Sequence, residues 1–207
     1  MRIIALANQK GGVGKTTTTL NVGAALSRRN RKVLLIDADP QGNLTSSVGL
    51  DVSNDYTLYE VMENKCPIEK ALKQSELGFD ILPSDIALAG IEIELASEPG
   101  KEFILKEKVT PILENYDYVL IDCPPSLGIM TVNALVLASE VLVVLKPEYL
   151  PMQGLQQLKS TIEVIQRRLN DRIHLSGILI NMYDGRRKLH RQGAIIIEEH
   201  FPGLVFN

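Results

Sequence analysis

A lysine and two threonines follow a glycine-rich segment near the start of the chain, in the order GGVGKTT at residues 11–17. Because three of these seven residues carry no Cβ, successive backbone N–H groups can converge on phosphate oxygens. A helix that begins at the end of the segment would add the partial positive charge of its N-terminus. Lys15 would then bridge the β- and γ-phosphates of a nucleotide, and the Thr16 hydroxyl would ligate Mg²⁺. The pattern predicts nucleotide contacts from Gly11, Gly12, Val13, Gly14, Lys15, Thr16 and Thr17.

The same segment departs from the general phosphate-loop pattern G-x-x-x-x-G-K-[ST] at its first position. Gln9 stands where that pattern has a glycine, and a second lysine, Lys10, follows it directly. The three remaining glycines still provide the backbone cradle. The loop therefore keeps its phosphate site and carries one extra positive charge beside it.

Three aspartates lie where two apolar runs end. Asp37 and Asp39 belong to LLIDADPQGN, and Asp122 ends YVLID. An apolar strand that ends in an acid is the Walker-B arrangement, in which the carboxylate reaches the metal, often through water. Asp37 and Asp39 either help to hold the water shell of the metal and orient an attacking water, or are ordinary loop acids. We predict a Mg²⁺ site formed by Thr16, Asp39 and Asp122, partly through water.

Asn181 and Met182 end the last clear apolar run, LSGILINM at residues 175–182. The Asn181 amide can donate to and accept from the edge of adenine, or it can cap the turn that follows. The sequence at this position, LINMYDG, lacks the N/T-K-x-D motif expected of a protein that selects guanine. Asn181 and Met182 are therefore the predicted base contacts.

Short apolar runs rich in β-branched residues alternate with amphipathic stretches. The runs cover residues 2–8, 32–37, 79–84, 116–122, 140–147 and 175–182, and the amphipathic stretches cover 15–29, 84–96, 100–115, 128–138 and 151–169. Several runs are apolar at consecutive positions, which is typical of strands covered on both faces. The alternation predicts an α/β fold of three layers, α/β/α, with a mostly parallel twisted sheet. Ligands of such sheets bind at the carboxyl ends of the strands, where all of these candidate residues fall. Without an internal repeat or linker, one domain is expected over residues 1–207.

Composition narrows the class of protein. With 45% hydrophobic and 23% charged residues the chain has the make-up of a globular protein, and a net charge of −3 requires that any DNA contact come from a local basic patch. Cys66 and Cys123 lack the spacing of a metal site and are expected to be buried thiols of a reducing cytosol. No apolar run approaches the roughly 20 residues that cross a bilayer, and the opening MRIIALANQ is too short for a signal peptide. A cytoplasmic protein is expected.

Five blocks carry a family resemblance: NQKGGVGKTT, LLIDADPQGN, FDILPSDIALAGIEIEL, LIDCPPSLG and NMYDGR. In this order they resemble the ParA/MinD family of deviant P-loop ATPases, and their amino-acid sequences are similar to those of the ParA (Soj-type) partitioning proteins. The resemblance runs from Arg2 to about Gly193, and its first two blocks together are highly specific. It implies an ATPase that uses ATP and Mg²⁺ to partition a chromosome or a plasmid.

The resemblance also implies roles for single residues. The signature lysine of the family maps onto Lys10. In the family's ATP-sandwiched dimers this lysine reaches the nucleotide of the partner subunit, much as an arginine finger does when it is supplied in trans. The acid that positions the hydrolytic water maps onto Asp39, and the Walker-B acid onto Asp122. Lys10 therefore joins the nucleotide contacts, and the implied catalytic residues are Lys10, Lys15 and Asp39.

The implied partners are a second copy of the chain, non-specific double-stranded DNA and a ParB-type centromere-binding protein that stimulates hydrolysis and releases the dimer. The resemblance implies a nucleoid-associated protein without a membrane partner. The segment DGRRKLHRQG is either a DNA contact or a solvated charged helix start. Its DNA-binding candidates are Arg186, Arg187, Lys188 and Arg191.

The sequence departs from the family pattern at both ends, and two alternative functions are open. The chain starts at the P-loop strand, so we expect no N-terminal DNA-binding extension. It stops at FPGLVFN, so we expect the C-terminal part of the family domain to be missing. A MinD-like protein that cycles on membranes would need a basic amphipathic tail, which EEHFPGLVFN is not. A metabolic enzyme of the same fold is the other rival, as a nitrogenase-iron-protein relative or an amide-forming synthetase.

Overall fold

The computed structural model describes residues 1–147 and 151–206, and their side chains except those of residues 151–153. The described residues form one sheet of seven strands: β1 Arg2–Ala7, β2 Val33–Asp37, β3 Lys73–Gln74, β4 Asp80–Leu82, β5 Tyr118–Asp122, β6 Glu140–Leu145 and β7 His174–Ile180. Their order is β3-β4-β2-β5-β1-β6-β7. Every neighbouring pair is parallel except β3 and β4. The predicted mostly parallel sheet is confirmed.

The helices connect these strands. Their bounds are α1 Lys15–Ser27, α2 Asn43–Ser47, α3 Leu58–Met62, α4 Ile68–Ala71, α5 Ile91–Glu94, α6 Ile104–Val109, α7 Ile129–Leu137, α8 Pro151–Arg168 and α9 Lys188–His200. Short 3₁₀ turns occupy Ile86–Gly90, Lys101–Phe103 and Thr110–Asn115.

Alternation along the central strands produces the three layers. Ile3 of β1 packs in one apolar cluster with Leu135 of α7 and Leu158 of α8. Leu6 of the same strand packs in a second cluster, against which Leu20 of α1 lies. Because successive strand residues point to opposite faces, the sheet buries apolar side chains on both sides. The predicted α/β/α arrangement is confirmed.

Two predicted amphipathic stretches are broken into short pieces. Residues 84–96 form a 3₁₀ turn, capped where the Asp85 carboxylate accepts the Ala87 N–H at 3.1 Å, followed by the four-residue α5. Residues 100–115 hold α6 between two 3₁₀ turns. Pro111 has no N–H to continue the helical hydrogen bonds of α6, so the helix gives way to a turn there. The expectation of two regular helices was wrong in both places.

Both cysteines of the chain are buried in the structure. Cys66 is 8% exposed and Cys123 1% exposed, and both are free, as the sequence predicts. Cys66 packs in the larger apolar cluster. Within the described ranges, no helix combines the length and apolar character needed to cross a membrane.

Parallel strands bring distant residues to one edge of the sheet. The register pairs Asp37 with Asp122, and Leu6 with Asp122 as well. On the other side of β1, Ala7 pairs with Val143 of β6. The segment 8–14 leaves this edge at its centre, between the ends of β5 and β6.

Candidate functional site

Glycine geometry shapes the segment between β1 and α1. Gly12 has φ 67° and Gly14 φ 96°, both in the left-handed region that glycine adopts without strain. A Cβ on Gly14 would also overlap the side chain of Asn181. The Thr18 N–H donates to the Gly14 carbonyl at 2.9 Å, so the helical hydrogen bonds of α1 start at this glycine. The loop thus has the strand–loop–helix context that a phosphate-binding loop requires.

The two lysines of this loop lie in different environments. Lys15 is 7% exposed in the first turn of α1. Lys10 is exposed, and its backbone N–H donates to the Asn8 side chain at 3.0 Å. Asn8 in turn donates from its amide to the Val144 carbonyl at 2.7 Å, which anchors the loop entrance on the end of β6. Lys15 is therefore buried at the start of α1, whereas Lys10 is exposed at the entrance of the loop.

Asp37 ends β2 and is fully buried. Its Oδ2 accepts from the N–H and the hydroxyl of Thr45, at 2.9 and 2.8 Å, and its Oδ1 accepts from the N–H of Asp39 at 3.2 Å. The Thr45 hydroxyl also accepts the Ser84 N–H at 2.9 Å. Burial raises the pKa of Asp37 to about 6, against the lowering effect of the Thr45 bonds. Asp37 is thus an anchor that ties the ends of β2 and β4 to α2.

Asp122 ends β5 and is equally buried, but neither of its carboxylate oxygens has a hydrogen-bond partner among the described residues. Burial raises the pKa of this carboxyl to about 7, while the nearby Thr16 hydroxyl and the charge of Lys15 act in the opposite direction. Buried carboxylates are normally paired or bound to a metal. The vacant acceptors of Asp122 beside Thr16 therefore fit a divalent cation.

Asp39 lies just beyond β2 in the loop before α2. It is 7% exposed, and its Oδ1 accepts the Gln41 N–H at 3.0 Å. Because the strand ends at Asp37, only the first of the two acids belongs to β2. No group of three or more His, Cys, Asp and Glu side chains forms a self-contained metal cage in the described part of the chain. The remaining Mg²⁺ ligands would have to come from phosphates and water, which is usual for this ion.

Asn181 lies against the phosphate loop. Its Nδ2 donates to the Val13 carbonyl at 2.9 Å, and its Oδ1 accepts the Met182 N–H at 2.8 Å. Met182 has φ 54° and is 54% exposed. The structure brings both predicted base contacts to the loop, with the Asn181 amide engaged by the protein itself.

A family model described as an AAA domain, AAA_31, matches residues 1–175. The chromosome partitioning protein ParA of Caulobacter vibrioides is 44% identical over 211 residues, which is 100% of this chain and 79% of that protein. The sporulation initiation inhibitor protein Soj of Bacillus subtilis is 41% identical over 207 residues, or 99% of this chain and 82% of Soj. The chain belongs to the ParA/Soj family.

A solved structure shows how closely the family fold is kept. The structure named cobyrinic acid a,c-diamide synthase from Mycobacterium smegmatis, with bound ADP and magnesium, superposes with a TM-score of 0.93 at 39% identity. The match covers 98% of this chain and 83% of that one. The described sheet and helices are therefore those of an ATP-binding P-loop NTPase.

The basic segment of this ParA/Soj protein surrounds an acid. Arg186 donates to both oxygens of Asp184, at 3.0 and 3.1 Å, and the Arg187 guanidinium lies 3.8 Å from the same carboxylate. The bonds from Arg186 hold the pKa of Asp184 below its usual range. Arg191 donates to the backbone carbonyls of Gly185 and Arg186, at 2.6 and 3.2 Å. These three predicted DNA-binding arginines are exposed, as is Lys188, and the arginines also stabilise the loop.

Sequence reasoning missed three residues of the site. Asn8 precedes the phosphate loop directly, and its position at a strand end was the available signal. Thr45 lies eight residues after the acid that it binds, beyond a turn at Gly42 with φ 59°, where only the structure reveals the contact. His190 accepts the Asp184 N–H through Nδ1 at 2.9 Å. Its place within the basic segment DGRRKLHRQG gives no sign of this contact.

Proposed function

We propose that this chain is a Mg²⁺-dependent ATPase for chromosome or plasmid partitioning. It dimerises around ATP, binds double-stranded DNA non-specifically as a dimer, and is released when a ParB-type partner stimulates its slow hydrolysis. It acts in the cytoplasm, on the nucleoid. The observation that carries this proposal is the pair of lysines in one loop, with Lys15 buried and Lys10 exposed.

Lys15 and the loop backbone bind the phosphates of the chain's own nucleotide. Lys15 is buried at the start of α1, where its ammonium and the helix N-terminus both favour phosphate oxygens. Thr16 and Asp122 would hold Mg²⁺, which neutralises phosphate charge when bound. Asp39 orients the attacking water from the loop beside them. Together these residues position the reactants and stabilise the charge that develops on the phosphoryl group.

Lys10 acts on the nucleotide of a second copy. Lys10 is exposed at the loop entrance, where its backbone is anchored through Asn8, and it is therefore accessible to a second copy. A cation supplied in trans is worth roughly 10³–10⁵ in rate in other nucleotide hydrolases. Hydrolysis therefore requires the dimer, which couples the chemistry to assembly.

The exposed Arg186 and Arg187 support a DNA-binding role. Their side chains are 92% and 69% exposed, and they belong to the same loop as Asn181 and Met182. A loop that contacts the nucleotide at one end and carries guanidinium groups at the other can make DNA binding depend on the bound nucleotide. The shared Asp184 reduces the positive charge that this patch offers to phosphates.

Replacing Lys10 with Ala tests the trans role. We expect Lys10→Ala to bind Mg-ATP within about threefold of the wild type, because Lys15 and the backbone cradle remain, but to lose ATP-dependent dimers in light scattering and at least 100-fold in hydrolysis rate. Lys15→Ala is the matched control and should lose nucleotide affinity roughly 100-fold, since a charge-assisted contact to phosphate is removed. Equal loss of ATP binding in the two variants contradicts a trans role for Lys10.

An amide-forming synthetase is the second candidate. The observation that favours it is the 39% identity to a structure named cobyrinic acid a,c-diamide synthase. The same hydrolysis assay separates the two functions, because a synthetase forms ADP in response to ammonia and a carboxylic acid acceptor. A partitioning ATPase responds to DNA and its protein partner. If ammonia and a carboxylic acid stimulate ADP formation and DNA and a protein partner do not, the synthetase function replaces the proposed one.

A further inference from the structure

The loop of residues 181–187 connects β7 to α9 and has a function at each end. Asn181 and Met182 lie over the phosphate loop, through the 2.9 Å bond to the Val13 carbonyl and the approach of the Met182 side chain to Gly14. Arg186 and Arg187 are exposed at the other end. The position of this loop therefore affects both the nucleotide site and the basic patch.

Helix α9 holds the middle of the loop with a histidine. The Asp184 N–H donates to Nδ1 of His190 at 2.9 Å, and His190 is only 6% exposed. A neutral imidazole accepts through one ring nitrogen, so this bond requires that the ring carry its proton on the other nitrogen. His190 thus supplies a buried acceptor to a backbone group that would otherwise lose its partner.

The helix is a fixed support for this bond. Gly193 lies so close to the segment after β6 that an added Cβ would be 2.9 Å from the Pro147 carbonyl oxygen, and Ile197 is fully buried in the larger apolar cluster. His190, Gly193 and Ile197 are spaced by three and four residues and so lie on one face of α9. The face that carries the imidazole is therefore packed against the body of the protein.

A neighbouring residue holds the other side of the loop. Arg191 donates through Nη1 to the carbonyls of Gly185 and Arg186, at 2.6 and 3.2 Å. Successive residues of α9 thus provide an acceptor and a donor to the same turn. Arg191 is exposed, so its bonds compete with water, whereas the bond of His190 is shielded.

The nucleotide end of the loop is under conformational strain. Met182 has φ 54°, a left-handed conformation that is unfavourable for a non-glycine residue and persists only where its surroundings impose it. The Met182 N–H is held by Asn181, and two residues further on His190 holds Asp184. Losing the second bond removes one of the contacts that impose the strained conformation.

We propose that His190 is a positioning residue for nucleotide binding. Its neutral imidazole holds Asp184, and this keeps Asn181 and Met182 over the phosphate loop in the conformation that receives the base. The inference rests on the proposed function only where it takes these two residues as base contacts. His190 acts on binding and not on the chemical step, since its hydrogen bond is to the loop backbone at Asp184.

Two substitutions separate the hydrogen bond from the volume of the ring. His190→Asn places an amide oxygen close to the position of Nδ1 and keeps an acceptor, whereas His190→Leu keeps an apolar side chain and removes it. We expect His190→Leu to raise the Kd for Mg-ATP about tenfold, with kcat at saturating ATP within twofold of the wild type. His190→Asn should stay within threefold in both quantities. Equal Kd values for the two variants, or a fall in kcat at unchanged Kd, would overturn the proposal.

Backbone amide exchange in the nucleotide-free protein gives a readout that does not depend on ATP. His190→Leu should lose protection at the Asp184 amide, with faster exchange at 181–183, while His190→Asn retains it. Unchanged protection in His190→Leu would show that the imidazole does not hold the loop. Should the wild type fail to bind ATP, the proposed function falls, and the exchange data still decide whether His190 positions the loop.

Discussion

The two edges of the sheet treat buried acids in opposite ways. At the amino edge, Glu140 begins β6 and accepts two hydrogen bonds from the Arg2 guanidinium, at 2.7 and 2.5 Å. At the carboxyl edge, Asp122 has no hydrogen-bond partner among the described residues for either oxygen. The bond to Arg2 lowers the pKa of Glu140, and burial raises that of Asp122 to about 7. The amino edge is arranged for stability, whereas the carboxyl edge keeps a buried carboxylate without a hydrogen bond, which is available to a ligand.

Asp37 is intermediate between these two acids. It lies beside Asp122 in the register and is just as buried, yet it accepts three hydrogen bonds and its pKa rises only to about 6. The comparison assigns Asp37 to the scaffold of the site and Asp122 to its ligand-facing surface. A buried carboxylate without hydrogen bonds costs stability, and its presence beside a well-bonded one indicates that it serves function.

The strongest way to break this comparison is to neutralise Asp122. Asp122→Asn should lower the Mg²⁺-dependent part of nucleotide affinity at least tenfold, because one metal-facing charge is removed. The nucleotide-free variant should be more stable by about 1 kcal/mol, or roughly 2–4 °C in Tm, since a buried carboxylate without a hydrogen bond is replaced by a neutral amide. Calorimetry with and without Mg-ATP measures both effects. A Tm below that of the wild type without nucleotide would show that Asp122 is satisfied by the protein.

Removing the Thr45 hydroxyl would leave Asp37 with one hydrogen bond fewer and so make it more like Asp122. Thr45→Val deletes one donor to Asp37 and leaves the Ser84 N–H without its acceptor, so we expect a loss of about 2 kcal/mol in the free energy of unfolding. Urea denaturation measures it. Thr19→Val is the matched control, because its buried hydroxyl donates only to the Lys15 carbonyl one turn back, and it should cost under about 1 kcal/mol. Equal losses of unfolding free energy in the two variants would mean that the Thr45 hydroxyl contributes no more stability than a hydroxyl bound within its own helix.

The smallest effect is expected at the amino edge. Glu140→Gln keeps the shape of the side chain and removes the charge that pairs with Arg2, whose side chain is 55% exposed, so the loss at pH 7 should be about 1 kcal/mol. Because the folded-state pKa of Glu140 lies below its ordinary 4.5, this contribution is present above that value and disappears as the pH falls through the folded pKa. Denaturation at pH 7 and pH 3 checks the sign. A difference between wild type and variant that grows on acidification contradicts it.

Much of the fold and the phosphate end of the site could be predicted from the sequence. The phosphate loop is a local pattern, and the acids of β2 and β5 follow apolar runs whose parallel pairing places their ends together. The helices between residues 84 and 115 could not be predicted equally well. Pro111 interrupts the second stretch, and the first divides at Gly90 into a 3₁₀ turn and α5.

The residues that support the site were hidden for a different reason. Thr45 and His190 act through hydrogen bonds to groups eight and six residues away, across turns whose geometry the sequence does not specify. Asp37 and Asp39 look equivalent in LLIDADPQGN. Only the end of β2 and the donors of α2 distinguish the anchor from the acid in the loop.

The central position of β1 has a consequence for how the protein is made. This strand is synthesised well before its partners, which are residues 118–122 and 140–143. At about 5–20 residues per second, roughly 100 further residues take about 5–20 s to be synthesised. During that interval the nascent chain exposes an apolar strand without hydrogen-bonded neighbours, followed by a glycine-rich loop with no anchor on β6. We therefore expect nucleotide binding to begin only after β5 and β6 have been translated.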